Sequence, residues 1–236
     1  MAHPVEIAAG QKMNLRYRTM RRIFAWVYRL LMRIEVTGLE NFEVAGPCLV
    51  VVNHLSVFDP PLLQILYPRR AVAFAADKYR RHPVFSPIMG LIGNVIYIRR
   101  GEIDRQALRA ALEVLRAGGT MGLAPEGTRS KIGQLQRARE GAAYLASRTD
   151  ATIVPVGISG TETVLSNLKR LRRSRVRAVV GQPFKLPPVD GPVKGAQLAA
   201  NTDRIMCRIA ALLPESYRGY YRHRCASDGA PLPADT

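Results

Sequence analysis

Short, wholly apolar runs separated by segments of helical spacing set the strongest limit on how this chain can fold. Leu49–Val52 is such a run, and its β-branched valines read as a strand buried on both faces. Strands are expected at 48–53, 71–75, 95–98, 120–124, 152–157 and 176–181, and helices at 60–66, 85–91, 103–117, 136–148 and 196–213. The clearest helix is EIDRQALRAALEVLRAGG, with Ile103, Leu108, Leu112 and Leu115 on one stripe and Gly118 and Gly119 as its stop. Alternation of this kind predicts an α/β layered domain with a largely parallel, mixed sheet flanked by helices. At 236 residues, 47% of them hydrophobic, the chain can bury the core such a domain needs.

Ahead of that domain lies a different pattern. Across 14–36, Met20, Ile23, Phe24, Val27, Leu30, Leu31 and Ile34 follow helical spacing, broken by Arg18, Arg21, Arg22, Arg29 and Arg33. Two readings stand: a helix lying in an anionic membrane interface, or a helix packed on the domain with a solvated basic edge. The first is the expectation, so the organisation is an amphipathic membrane-interface helix over 1–37, a folded domain over 38–226, and a disordered tail over 227–236. No segment reaches the roughly 18 uncharged apolar residues of a membrane span.

The net charge of +17 predicts an anionic partner. A second basic cluster, NLKRLRRSRVR at 167–177, carries Lys169, Arg170, Arg172, Arg173, Arg175 and Arg177. No helix-turn-helix, zinc-finger or RNA-recognition signature accompanies it, and no aromatics interleave with the arginines, so nucleic acid is not the expected partner. Cys48, Cys207 and Cys225 are odd in number and lack metal-type spacing, which predicts three passive thiols in a reducing compartment. No secretory signal is read at the N-terminus.

Polar residues gather where the apolar runs stop. Asn53, His54 and Asp59 follow the first strand, with Pro60 and Pro61 behind them. Taken alone they allow a local reading, in which Asn53 makes a turn and Asp59 caps a helix. Arg99 and Arg100 follow a second strand; Glu126, Gly127, Thr128 and Arg129 follow a third; Pro155 lies in a fourth run. A glycine turn with arginines and backbone N–H groups is suited to a phosphate dianion. In an open α/β sheet such strand ends share one rim, where ligands bind.

In order and spacing these stretches resemble the conserved blocks of the glycerolipid acyltransferase family. NHLSVFD fits its N-H-x-x-x-x-D block; IYIRR, with Lys78 upstream, fits the second; APEGTRS nearly reproduces the third; IVPVGI fits the fourth. In the second block the expected glycine position, six before Arg100, holds Asn94, with Gly93 adjacent. The resemblance covers about residues 20–215 and implies transfer of a fatty acyl chain from acyl-CoA or acyl-acyl carrier protein to the free hydroxyl of 1-acyl-glycerol-3-phosphate, giving phosphatidic acid. It implies an acyltransferase domain over 38–226, with His54 as general base and Asp59 as its orienting carboxylate. It places the acceptor phosphate against Arg100, Arg99, Glu126, Gly127, Thr128, Arg129 and Lys78, with Asn53 and Pro155 lining the site or meeting the acyl donor. The implied setting is peripheral, on the cytoplasmic face of the membrane.

The residue types suit this chemistry. Histidine, with an unperturbed pKa of about 6.5, can take a proton from an attacking alcohol near neutral pH. No protein nucleophile is required, and no G-x-S-x-G elbow is present. Neither a cofactor nor a metal is expected, since no H-E-x-x-H or similar ligand spacing occurs. Two alternatives keep their place at this level: the same chemistry on another lysophospholipid or hydroxylated lipid, and a non-catalytic basic module for membrane or nucleic acid.

Overall fold

The computed structural model describes residues 15–83, 86, 95–98, 104–187 and 195–226. Seven strands form one sheet: β1 (Met32–Thr37), β2 (Cys48–Val52), β3 (Val72–Ala76), β4 (Val95–Ile98), β5 (Thr120–Leu123), β6 (Thr152–Ser159) and β7 (Ser174–Val180). Their order is β1-β7-β6-β2-β5-β3-β4, and the pairing of β6 with β7 is antiparallel while the others are parallel. Among the described residues the α-helices are α1 (Leu15–Leu31), α2 (Asp59–Leu66), α3 (Arg105–Arg116), α4 (Gly141–Thr149), α5 (Val164–Leu168) and α6 (Ala196–Ala211). The fold is the expected α/β sandwich.

Strand β2 shows why its residues had to be apolar throughout. All five are buried; Leu49 and Val51 enter the core shared with α3, α4 and α6, whereas Cys48, Val50 and Val52 enter the core shared with α1 and α2. Each fully buried Val or Leu contributes about 1.5–3 kcal/mol of apolar transfer free energy, so a polar residue on either face would be costly. Helix α3 begins at Arg105, two residues inside the expected start, where the N-cap Asp104 accepts a hydrogen bond from the Ala107 N–H at 3.0 Å.

Three expectations need correcting. The helix expected over 14–36 ends at Leu31, and Met32–Thr37 forms β1 against β7. Met32, Ile34 and Val36 alternate with Arg33, Glu35 and Thr37, the two-residue period of an edge strand, which overlaps helical spacing at Ile34. Residues 136–139 do not begin α4, because their N–H groups are used elsewhere: Gln136 donates to Glu126 and Arg139 donates to the Pro125 carbonyl. Finally, Cys207 and Cys225 form a disulfide, their Cα atoms 5.3 Å apart, and only the buried Cys48 is free. The turns at 215–224 fold the chain back onto α6, a pairing that an 18-residue separation does not reveal. The cysteines therefore no longer argue for a reducing compartment. The helix expected at 85–91 falls almost wholly outside the described residues.

Candidate active site

The chain leaves β2 at Asn53. Its buried side-chain amide donates to the Ile158 carbonyl and accepts from the Ile158 N–H, both at 2.8 Å, so it stands in for one more rung between β2 and β6. With that rung supplied by a side chain, the next residue, His54, is free to turn out of the sheet plane.

His54 Nδ1 lies 2.9 Å from Asp59 Oδ2, and the two side chains are 14% and 1% exposed. The same Oδ2 accepts the Leu55 N–H at 2.7 Å and the Ser56 N–H at 2.6 Å, while Oδ1 accepts the Thr161 hydroxyl. Every other partner of Asp59 is a donor, so the carboxylate acts as acceptor throughout and His54 Nδ1 carries the hydrogen. In the neutral ring that tautomer leaves Nε2 as the nitrogen able to accept a proton, and His54 lines the cleft. Asp59 is also the first residue of α2, with Pro60 and Pro61 behind it, but the N-cap position is Phe58 and no side chain caps the helix. The Asp59 carboxylate turns back to the 54–56 loop instead, which corrects the capping reading from sequence.

Thr161 was not among the residues singled out from sequence. It follows Gly160, whose φ of +91° suits glycine and whose added Cβ would lie 2.1 Å from the Arg175 carbonyl oxygen. That tight approach to β7 swings Thr161, fully buried, under Asp59. The only signal in sequence is a hydroxyl placed directly after a glycine at a strand end.

Glu126, grouped in sequence with the phosphate ligands, is placed differently. It is buried, its Oε1 accepts the His54 N–H at 2.9 Å, and its Oε2 accepts the Gln136 N–H at 2.9 Å. Burial pushes its carboxyl above the usual range, while these N–H groups pull the other way. A carboxylate already held by two backbone donors braces the His54 loop rather than receiving an anion. The Ser130 N–H, donating to the His54 carbonyl at 2.8 Å, closes the brace from the other side.

Beside this pair opens a cleft of about 1260 Å³. Strand β3 pairs with β5 only at Val72 and Ala73 and then diverges, so the sheet itself parts and the cleft reaches both of its faces. Its walls are largely apolar, with Phe74, Leu108, Leu112, Tyr144 and Leu145 prominent, and Arg105, Arg109 and Arg139 join them. Common small-molecule pockets span about 300–1,000 Å³, so this one suits a longer, apolar ligand.

The remaining sequence candidates distribute unevenly. Gly127 and Thr128 line the cleft with His54 and Asp59; Gly127 has φ +70°, and a Cβ there would press on Arg139 Cδ at 3.1 Å. Arg139, which sequence reasoning missed, thus lies against the glycine turn from twelve residues away, with no local pattern to reveal it. Arg129 and Pro155 are not among the lining residues; Pro155 accepts the Gly181 N–H and sits inside β6. Lys78 is exposed, its ammonium 5.2 Å from the Tyr79 ring centroid. Arg99 and Arg100 lie outside the described residues.

These features define a class: an α/β protein with a histidine–carboxylate pair at the carboxyl edge of its sheet and an apolar cleft beside it. The chain belongs to the Acyltransferase family, whose sequence profile matches residues 33–159, from β1 through the last residue of β6. It is similar to a 1-acyl-sn-glycerol-3-phosphate acyltransferase of Borreliella burgdorferi, 29% identical over 146 residues, covering 61% of this chain and 57% of that protein. The human 1-acyl-sn-glycerol-3-phosphate acyltransferase beta is 32% identical over 162 residues, covering 63% and 54%. The chain spans about half the length of the curated relatives it matches. In structure it resembles the 1-acyl-sn-glycerophosphate acyltransferase PlsC from Thermotoga maritima, with a TM-score of 0.61, 23% identity, and coverage of 80% of this chain and 76% of that one.

Proposed function

We propose that the protein transfers a fatty acyl group from a thioester donor, acyl-CoA or acyl-acyl carrier protein, to the free hydroxyl of 1-acyl-glycerol-3-phosphate, giving phosphatidic acid. The observation that carries this reading is the His54–Asp59 pair on the lip of a long apolar cleft, beside the Gly127–Thr128 turn. The names of its relatives support the acceptor. In this mechanism His54 Nε2 takes the hydroxyl proton as the alcohol oxygen attacks the thioester carbonyl. The tetrahedral adduct then collapses, the C–S bond breaks, and the imidazolium returns the proton to the departing thiolate. The products are an ester and a free thiol. Asp59 keeps the tautomer fixed and stabilises the imidazolium formed between the two steps.

A matrix of donors against acceptors tests the reading. Thiol release with purified protein is expected to require 1-acyl-glycerol-3-phosphate, and equal rates with an acceptor lacking the phosphate would overturn that choice of substrate. Within the site, we assign the acceptor phosphate to the Gly127–Thr128 turn together with Arg139; the resemblance in sequence adds Arg100 as a further ligand. Losing a charge-assisted contact costs about 1.5–3 kcal/mol, so Arg139→Gln is expected to raise KM for the phosphorylated acceptor about ten- to hundredfold. KM for the donor should stay within about twofold. An unchanged acceptor KM would remove Arg139 from the phosphate site.

The acceptor and product reside in membranes, and α1 supplies an attachment suited to that, on the cytoplasmic face of an anionic bilayer. Among the described residues no helix is long and apolar enough to span one. Tyr17 and Tyr28 are buried against α2, donating to Gln64 Oε1 at 2.8 Å and to the Phe58 carbonyl at 2.9 Å, and Arg21 Nε donates to the Ile65 carbonyl at 3.0 Å. The other side leaves Ile23, Trp26 and Leu30 exposed with Arg18, Arg22 and Arg29. The buried side fits a helix packed on the domain, and the exposed apolar and basic side supports the membrane-interface reading.

A further inference from the structure

Helix α5 and the turn after it form a small projection that the reaction does not use. Leu165, Leu168 and Leu171 are 55%, 47% and 95% exposed, interleaved with exposed Lys169, Arg170 and Arg172. Leu171 adopts φ +53°, a left-handed conformation uncommon for a bulky residue. Its side chain gains no packing in return. The turn is nonetheless well tied: the Leu171 N–H donates to the Leu168 carbonyl at 3.0 Å, the Arg172 N–H to the Asn167 carbonyl at 2.9 Å, and Asn167 Nδ2 to Ser174 Oγ at 2.9 Å. Among the described residues, no carboxylate pairs with Lys169, Arg170 or Arg172.

Topology decides where this projection points. Because β7 runs antiparallel to β6, the segment between them lies at the edge where β6 ends, which is also where the parallel β2 ends and delivers His54. Because β1 is parallel to β7, with Met32 opposite Ser174, the C-terminal end of α1 reaches that same edge. Arg173 ties the two together, donating from Nη2 to the carbonyls of Arg29 and, at 3.0 Å, Met32. Exposed Leu30 on α1 and the leucines of the projection therefore flank one edge, and Thr161, only four residues before Leu165, touches Asp59.

We infer that residues 165–172 are a second, rigid membrane anchor, in which Leu165, Leu168 and Leu171 enter the apolar boundary of an anionic bilayer while Lys169, Arg170 and Arg172 bind its headgroups. Exposed apolar side chains on an ordered, strongly cationic turn match the layered chemistry of a lipid interface, apolar below and anionic above. One helix on a membrane leaves the protein free to roll about the helix axis. Two attachments joined through Arg173 fix the catalytic edge toward the lipid. This rests on the acyl-transfer reading for its purpose, but its physical test does not.

Full-length protein is sedimented with vesicles of phosphatidylcholine alone or of phosphatidylcholine with phosphatidylglycerol. Wild type is expected to prefer the anionic vesicles. Lys169→Gln/Arg170→Gln/Arg172→Gln, and separately Leu165→Ser/Leu168→Ser/Leu171→Ser, are each expected to weaken anionic-vesicle binding by about tenfold or more with α1 intact. Both should leave acylation of a short-chain, water-soluble acceptor unchanged, which also reports correct folding. In a Trp26→Phe background, Leu171→Trp should shift its emission to the blue on adding anionic vesicles and be quenched by lipids brominated in the acyl chain. Binding equal to wild type in both triple variants, or an emission unmoved by vesicles, would overturn the anchor. So would a wild-type preference for duplex DNA over anionic vesicles that the glutamine variant abolishes. Failure of the acyl-transfer reading would appear instead in the soluble-acceptor assay alone.

Discussion

Replacing His54 by alanine is expected to lower kcat for acyl transfer by about 10²–10⁴-fold while leaving the fold intact. The loss is chemical: without Nε2 the attacking hydroxyl must shed its proton to water. The fold survives because the backbone contacts of residue 54 remain, and Asp59 keeps three other donors when the ring is lost. The His54 N–H donates to Glu126 and its carbonyl accepts from Ser130, and alanine retains both. Thiol release from the donor, compared with the thermal unfolding midpoint, separates the two effects. Turnover at half the wild-type value would refute the general-base assignment, as that leaves nothing for the imidazole to do.

Asp59 is expected to behave differently, with activity and stability falling together. Its carboxylate receives the His54 ring, two backbone N–H groups and the Thr161 hydroxyl in a site that is 1% exposed. In Asp59→Ala these donors lose their acceptor away from water, and each unsatisfied group costs about 1–3 kcal/mol. Against a typical total stability of about 5–15 kcal/mol, the loss is large enough to lower the unfolding midpoint markedly. Asp59→Asn keeps one acceptor oxygen but turns an NH₂ toward groups that are themselves donors, so it should be destabilised less and still be nearly inactive. Chemical denaturation and thiol release measured on both variants check this ordering. An Asp59→Ala protein as stable as wild type would show that the loop 54–58 holds its shape without the carboxylate.

The blocks NHLSVFD and APEGTRS, residues of which the structure brings to one cleft, were legible because chemistry at a sheet rim needs particular side chains at short spacing, and short spacing is visible in sequence. The His54–Asp59 contact is of this kind, five residues apart across a single turn. Glu126 shows the limit of composition: in sequence it stands beside a glycine and an arginine and reads as part of an anion site, but its burial and its two backbone donors give it a bracing position. Thr161 and Arg139 were illegible because each reaches the site through a tertiary approach, one across β7 at Gly160 and one beneath Gly127.

By itself the sequence determined the alternation of strands and helices, the wholly apolar β2, and the short spacing that pairs a histidine with a carboxylate. These depend on side-chain type and local period, which are properties of neighbouring residues. Tertiary structure decided the rest. It ended α1 at Leu31 because Met32–Thr37 found a partner in β7, and it joined Cys207 to Cys225 because the last turns fold onto α6. It opened the cleft because β3 leaves β5 after two paired residues, and it set residues 165–172 at the catalytic edge because β7 runs antiparallel. Each of these outcomes is a free energy of contact between segments far apart in the chain, and no local pattern records which of the possible partners will meet.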